Sequence, residues 1–215
     1  MATVLKTVIG ASLSRVQIPA PPPPAASVAR WLGLVAPPIA ALIVTFAGLV
    51  TPGYDPVTRT VSRLAEAGRP AAVEVDLAMY LVAFVLLMLA VSTRPRGLLA
   101  TAGGALVVVA SVHLDPASAA ATVVHRLASG VAMLALTAAP FGFASAFARY
   151  WRALGVTMIG LLVIAAVLVP TGFSAWGLWE RAFLLVAMAS VMVMSRFSAE
   201  DATRAPAAIV SRSGS

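Results

Sequence analysis

Four groups of ionisable side chains stand near the ends of long apolar stretches in this 215-residue chain. They are Glu74 with Asp76, His113 with Asp115, His125 with Arg126, and Glu180 with Arg181. An ionisable group at a bilayer centre costs about 2.5–3.5 kcal/mol, so such residues mark a functional site or a membrane boundary. We predict that they converge into one polar chamber at one end of a helix bundle. The alternative is that each side chain reaches water separately at the interface.

Arginine side chains in and near these groups indicate anion binding. Guanidinium groups hold phosphate or carboxylate through paired hydrogen bonds, and basic clusters near a bilayer attract anionic headgroups. We therefore predict that the chamber binds a membrane lipid or another amphiphile, or docks a partner membrane protein. The candidate ligand-binding residues are Asp76, His125, Arg126, Glu180, Arg181, Arg59 and Arg63. Among them we expect Asp76 to pair with Arg126 or Arg181.

The two histidines indicate an alternative chemistry. His113, Asp115 and His125 could supply the ligands of a catalytic zinc site with one open position. They could equally serve a membrane-embedded hydrolase that has no metal. The His-x-Asp spacing is not a usual rigid ligand pair, unlike His-x-x-x-His on one helix face. Our first interpretation is therefore a non-enzymatic protein with no metal or cofactor and no catalytic residue assigned, and the hydrolase is the alternative.

The composition indicates that membrane helices must position these side chains. Hydrophobic residues make up 60% of the chain and charged residues 11%, with a mean hydropathy of +0.96. A soluble domain carries about 25% charged residues, so most cytosolic enzymes and nucleic-acid binders are excluded. The net charge of +7 is spread over loops and tails, so no nucleic-acid partner is expected. The absence of cysteine excludes thiol–disulfide chemistry and thiolate metal sites.

Six stretches are long enough to cross a bilayer as helices, which takes about 20 apolar residues. They cover about residues 31–50, 72–92, 97–114, 123–147, 153–170 and 175–195. The sequence therefore predicts an all-α, six-helix membrane domain over 31–195. A disordered, proline-rich cytoplasmic tail (1–30) is expected before it and a polar cytoplasmic tail (196–215) after it. In the third stretch, Ala100 and Gly104 are four residues apart with Gly103 beside them, and these small residues predict a face for close helix packing.

Basic residues predict the orientation. Ten Lys and Arg residues lie on the side of the N-terminus, and five lie on the side of the first, third and fifth loops. Because basic residues are enriched in cytoplasmic loops, we predict a multi-pass plasma-membrane protein with both termini in the cytoplasm. The four ionisable groups then fall on the outer side.

The first outer loop predicts a short amphipathic helix over residues 55–68. Asp55 is a favourable N-cap, Pro56 suits the first helical position, and Gly68 can end the helix. At helical spacing, Val57, Val61 and Leu64 share one face. Such a helix lies on the membrane surface or over the bundle.

Three segments carry a resemblance to a known family. They read 52-PGYDPVTRTVSRLAEAGRP-70, 113-HLDPASAAATVVHRLAS-129 and 170-PTGFSAWGLWER-181. Through them, over about residues 30–195, the chain resembles the uncharacterised prokaryotic integral-membrane family called domain of unknown function 998. The resemblance implies a six-helix membrane fold with no settled activity. It also implies recurring polar positions at the start of the fourth and sixth spans. Arg63 departs from the acidic residue of many relatives.

Overall fold

The computed structural model describes the backbone of residues 24–93, 95–143 and 148–210, which is helical apart from turns and connections. The helices are α1 (Pro24–Val50), α2 (Val61–Leu64), α3 (Ala72–Ser92), α4 (Arg96–Ser111), α5 (Ala119–Ala138), α6 (Ala148–Leu168) and α7 (Trp176–Val210). Short 3-10 turns at Ala139–Gly142 and Val169–Thr171 extend α5 and α6. No strand occurs within those three ranges. The predicted all-α class is confirmed.

Five of the helices are long and apolar enough to cross a membrane. They include Ser27–Val50, Ala72–Ser92, Ala119–Gly142, Arg149–Thr171 and Trp176–Phe197. The sixth predicted span corresponds to α4, which is apolar but has only 16 residues. At 1.5 Å per residue it is about 24 Å long, less than the roughly 30 Å of a bilayer core. Five of the six predicted spans are therefore confirmed as helices of sufficient length, and the count of six stays a prediction.

The predicted tails lie partly outside the described residues, which exclude 1–23 and 211–215. Where they are described, both are helical. Residues 24–30 form the first turns of α1, and residues 196–210 continue α7 without a break.

The helices are arranged in an arc. Each helix in the order α5, α4, α3, α1, α7, α6 packs against the next, so α5 and α6 are the two ends of the arc. Buried side chains fill the space inside it, among them Leu86, Leu89, Leu99, Trp151 and Phe183. We call the end of the bundle formed by segments 51–71, 112–118 and 172–175 the loop end, and the other the opposite end.

Large apolar side chains cover the outward faces of the helices. Leu49 is 76% exposed and Val73 74%, and Leu42, Phe46, Leu127 and Val167 are similarly uncovered. Soluble proteins rarely leave contiguous apolar patches of this kind in water. These faces are suited to lipid, which supports a membrane protein with transmembrane helices.

The predicted helix over 55–68 is largely wrong, because only Val61–Leu64 is helical. Asp55 forms a separate turn: its carboxylate accepts hydrogen bonds from the Val57 amide at 3.0 Å and the Thr58 hydroxyl at 2.6 Å. The hydrogen bond from Thr58 holds the pKa of Asp55 below its usual range. Thr60 is then extended (ψ 159°), which separates this turn from α2. The Asp55 bonds therefore cap a single turn, in which the Arg59 amide donates to the Asp55 carbonyl oxygen at 2.9 Å.

The remainder of that loop is packed onto the bundle. Val61 and Leu64 are buried in a cluster with Ala47 of α1 and Val75 of α3, whereas Val57 is exposed. Gly68 adopts a left-handed φ of +81° but does not end a helix as predicted, because α2 stops at Leu64 with Ala65 as its C-cap. The loop is therefore a fixed part of the fold.

Close packing between α3 and α4 occurs at Gly103, one of the three small residues named in the prediction. A Cβ atom there would lie 2.9 Å from Leu87 Cγ and 3.0 Å from the Ala83 carbonyl oxygen. By contrast, Ala100 and Gly104 are exposed, and a Cβ at Gly104 would meet open space. Of the predicted small residues, Gly103 is therefore at the helix contact, and Ala100 and Gly104 are not.

Gly103 and Gly104 provide a matched test of this packing. Gly103→Val must push α3 and α4 apart against a backbone oxygen, so we expect a loss of about 1–3 kcal/mol in stability. Gly104→Val projects into open space and should unfold close to wild type. Thermal unfolding of both variants in detergent measures the difference. Equal unfolding temperatures would refute the assignment of the interface.

Candidate functional site

A groove of about 980 Å³ lies at the loop end. The first loop forms its upper rim, α5 one wall, and the α6–α7 connection with the start of α7 the other wall. Its principal lining residues are Arg59, Arg63, Glu66, Arg69, His125, Arg126, Ser129, Met133, Val169, Trp176, Trp179 and Glu180. We call it the loop-end groove. Five of the predicted ligand-binding residues line it: Arg59, Arg63, His125, Arg126 and Glu180.

The groove exists because α5 and α6 meet mainly at the opposite end. There the turn Ala139–Gly142 packs on α6. The Phe141 ring lies so close to Gly155 of α6 that an added Cβ there would stand 2.4 Å from the ring. Contact between α5 itself and α6 is sparse. Toward the loop end, Met133 on α5 and Val169 after α6 face a shared space, with Trp179 of α7 also lining it.

Four arginines give the rim of the groove a positive charge. Glu66 partly offsets it, since its carboxylate lies 3.0 Å from Arg63 Nη1 and 3.9 Å from Arg69 Nε. Arg126 is exposed, and within the part of the chain that the structure describes its guanidinium has no hydrogen bond or ion pair. Arg126 is therefore an unpaired cation at the mouth of the groove.

Arg181 does not line the groove, contrary to its predicted role. Its guanidinium donates to the carbonyl oxygens of Pro56 (2.7 Å), Arg59 (3.2 Å) and Gly177 (3.0 Å), and to the Tyr54 hydroxyl (2.7 Å). A planar group with five N–H donors suits several acceptors at once. Arg181 thus fixes the first loop onto the start of α7.

Tyr54 extends this set of bonds. Its hydroxyl lies 3.0 Å from the carbonyl oxygens of both Arg59 and Thr60, to which it donates. Burial raises the pKa of Tyr54 above its usual value, although the nearby Arg181 opposes the change. The phenol therefore keeps the proton that this bond requires.

Glu180 is also committed to the loop. It is buried, and its carboxylate accepts the backbone N–H of Val61 at the start of α2. The Leu178 amide donates to the Val57 carbonyl at 3.0 Å. A Cβ on Gly177 would stand only 2.2 Å from the Arg59 carbonyl oxygen, so glycine allows this close approach. Glu180 lines the groove, but one of its oxygens has a structural partner.

Asp76 pairs with His113, which corrects the expectation of a pair with Arg126 or Arg181. The distance from His113 Nε2 to the Asp76 carboxylate is 2.8 Å, across the α3–α4 junction. Neither residue lines the loop-end groove. The other Asp76 oxygen, Oδ1, is buried, and no described residue bonds to it.

The alternative site of His113, Asp115 and His125 is not assembled. His113 bonds to Asp76, and Asp115 Oδ1 accepts the Ala117 amide of its own loop at 2.8 Å. His125 Nδ1 lies 2.6 Å from the Val112 carbonyl oxygen. The described residues contain no group of three His, Cys, Asp or Glu side chains placed to hold a metal ion. This donor arrangement gives no support to a zinc centre.

Several groove residues are not predicted from the sequence. Trp176 and Trp179 fit an aromatic belt, yet their rings meet edge to face with centroids 5.9 Å apart beside the groove. Arg69 and Glu66 belong to the same loop as Arg63, so their spacing of three residues could have indicated a shared face. No sequence signal identifies Ser129 or Met133 as groove residues.

A second cleft, of about 480 Å³, lies between α1 and the start of α3. Leu42, Phe46 and Val50 line it, and Glu74 is its one ionisable residue. It lacks converging polar groups, which mark most specific sites. The loop-end groove is therefore the candidate functional site.

Gly177 tests the docking of the first loop. In an ordinary helix, Gly→Ala raises stability by up to about 1 kcal/mol. At Gly177 the added methyl meets two backbone oxygens, so we expect Gly177→Ala to release the loop and accelerate tryptic cleavage at Arg59 and Arg63. Gly160→Ala, on open α6 surface, is the matched control and should not change cleavage. A slower rate for Gly177→Ala would contradict the docking.

Comparison with known proteins identifies the family. No curated protein and no solved structure matches the chain. Residues 34–196 match the model of a family described as a protein of unknown function, DUF998. This match covers well over half of the chain and confirms the resemblance found in the loop segments. The chain is therefore a member of the DUF998 family and a membrane protein with transmembrane helices.

Proposed function

We propose that this protein binds an anionic amphiphile, such as a membrane lipid, in the loop-end groove. The observation that carries the proposal is that one cavity has both an arginine-lined rim and an apolar part. We call this apolar part, between α5 and α6 and lined by Met133, Val169 and Trp179, the wedge. An amphiphile likewise has a polar headgroup at one end and an apolar chain at the other. The headgroup would lie at the rim and the chain between α5 and α6.

The charge of the rim favours an anionic headgroup. Four arginines and two glutamates line the groove, and Glu66 is engaged by Arg63 and Arg69 while Glu180 accepts the Val61 amide. Arg126 is left without a protein partner among the described residues. A phosphate or carboxylate would provide it with paired hydrogen bonds of the kind guanidinium groups prefer.

The shape of the groove favours a bound molecule that enters from the side. Its volume of about 980 Å³ is at the upper end of ligand sites, roughly 300–1,000 Å³. Met133, Val169 and Trp179 supply apolar wall below the rim. Since α5 and α6 scarcely touch, a chain can reach the wedge directly from the bilayer.

Binding accounts for the polar residues better than transport of ions does. Segments 81–91, 156–168 and 183–194 contain no charged residue, whereas transporters place polar groups near the midplane. The groove needs no such path. A partner membrane protein is the other occupant, and the lipid experiment below separates the two.

The anionic-lipid proposal predicts selective loss of bound lipid. Purified protein should retain phosphatidylglycerol in native mass spectrometry, and Arg126→Ala should lower the retained fraction about tenfold, since one charge-assisted contact contributes about 1.5–3 kcal/mol. Arg152→Ala is the matched control, because Arg152 is an exposed arginine near the opposite end. It should retain lipid like wild type.

Equal retention by Arg126→Ala and Arg152→Ala would overturn the proposal. Protein that retains no lipid but copurifies with a defined membrane protein, in an Arg126-dependent way, would favour the partner interpretation instead.

We further propose that the loop end faces the outside of the plasma membrane, with both termini in the cytoplasm. The excess of basic residues on the side of the opposite end supports this orientation. The chain has no cysteine, so single cysteines report topology cleanly.

In intact cells, a membrane-impermeant maleimide should label Ala67→Cys, at the exposed loop end. It should label Gly97→Cys, at the opposite end, only after lysis. Both positions are exposed. The reverse pattern would contradict the orientation without affecting the binding proposal.

A further inference from the structure

His125 is a buried polar side chain in the wall of the loop-end groove. It is only 2% exposed and is among the groove-lining residues of α5. Its Nδ1 atom lies 2.6 Å from the carbonyl oxygen of Val112, which follows the last residue of α4. This bond holds the ring between α4 and α5.

The bond to Val112 fixes which nitrogen carries the proton. A carbonyl oxygen only accepts hydrogen bonds, so Nδ1 must donate. A charged imidazole at this depth would need a carboxylate bonded to it, and Asp76 bonds to His113 instead. The ring is therefore neutral with its hydrogen on Nδ1. Nε2 is left as an acceptor.

Nε2 of His125 has no partner among the described residues, although it is fully buried. Ser129, one turn later in α5, cannot serve, because its hydroxyl donates to the His125 carbonyl at 2.8 Å. Burying an acceptor without a donor costs about 1–3 kcal/mol. Because His125 lines the groove, a donor brought by the occupant can satisfy this atom once the wall opens enough to admit it.

We propose that the occupant of the loop-end groove carries a hydroxyl group close to its anionic group, and that this hydroxyl donates to Nε2 of His125. The inference rests on the proposed function and narrows its ligand class to hydroxyl-bearing anionic amphiphiles. The arginine rim binds the anionic group, and His125 accepts a hydrogen bond from the hydroxyl beside it.

A hydroxyl fits this position better than an ammonium group does. The groove is already lined by four cationic side chains, those of Arg59, Arg63, Arg69 and Arg126. These side chains would repel a cation on the bound molecule. A hydroxyl donates equally well and has no charge. The recognition of the headgroup therefore depends on a neutral donor.

Two lipids with the same acyl chains and the same charge test the proposal. Phosphatidylglycerol carries headgroup hydroxyls, and phosphatidylmethanol carries a methyl group instead. In competition followed by native mass spectrometry, wild-type protein should prefer phosphatidylglycerol about fivefold, the effect of one hydrogen bond. Retention of both lipids should depend on Arg126.

The variant His125→Asn keeps an amide donor for Val112 and removes the Nε2 acceptor. We expect it to retain both lipids equally, at the wild-type level for phosphatidylmethanol. Asp76→Asn is the matched control, because Asp76 also has a buried oxygen without a partner, and its preference should match wild type.

The outcomes separate this inference from the proposed function. Retention of both lipids by wild-type protein without any preference would overturn the inference alone, and this comparison needs no variant. A preference that survives in His125→Asn would do the same. Stronger retention of phosphatidylethanolamine than of phosphatidylglycerol would overturn the anionic headgroup of the proposed function as well. Retention of neither lipid would overturn both proposals.

Discussion

The guanidinium group of Arg181 organises the loop end of this bundle. It sits in the first turns of α7 and bonds to backbone oxygens more than 120 residues earlier in the sequence, those of Pro56 and Arg59. Carbonyl oxygens in a tight loop have no partners in a helix or sheet, so they must bond to side chains or to water. Arg181 satisfies several at once, and the adjacent Glu180 satisfies the Val61 amide.

This contact positions the arginines that face the groove. Once residues 54–61 are fixed on α7, α2 follows directly and buries Val61 and Leu64 between α1 and α3. Arg59, Arg63 and Arg69 are then placed along the rim, opposite Arg126 on α5. The first loop therefore gives the groove its charge, while the separation of α5 and α6 gives it its depth. Two independent features of the fold meet in one cavity.

The sequence predicts the membrane helices, which the bilayer requires, but it does not predict contacts in which a side chain bonds to backbone groups. A long apolar stretch must be helical in lipid, because its peptide groups have no other partners there; the helices therefore fall close to the predicted stretches. Arg181 illustrates the other case, since its partners are carbonyl oxygens, which every residue has and no pattern distinguishes. Its predicted role as a groove residue fails for that reason.

Contacts between side chains are predicted only in part from the sequence. Clustering of Arg63, Arg126, His125 and Glu180 around one cavity follows from their placement at the same helix ends, and the structure brings these residues together. The partner of Asp76 could not be chosen from the sequence, because His113, Arg126 and Arg181 are all at the same depth. Because α3 packs against α4, His113 is the residue that lies next to Asp76. The loop at Asp55 shows a third limit, since an N-cap followed by proline favours the start of a helix but does not determine that the chain becomes extended at Thr60.

The shortness of α4 has a consequence for the surrounding lipid. Its 16 residues extend about 6 Å less than a typical hydrocarbon core, so acyl chains beside it must compress or tilt. α4 packs against α5, the wall that carries His125 and Arg126. Thinning next to that wall would lower the phosphate layer toward the wedge. The bilayer itself would then be deformed at the point where an amphiphile has to leave it.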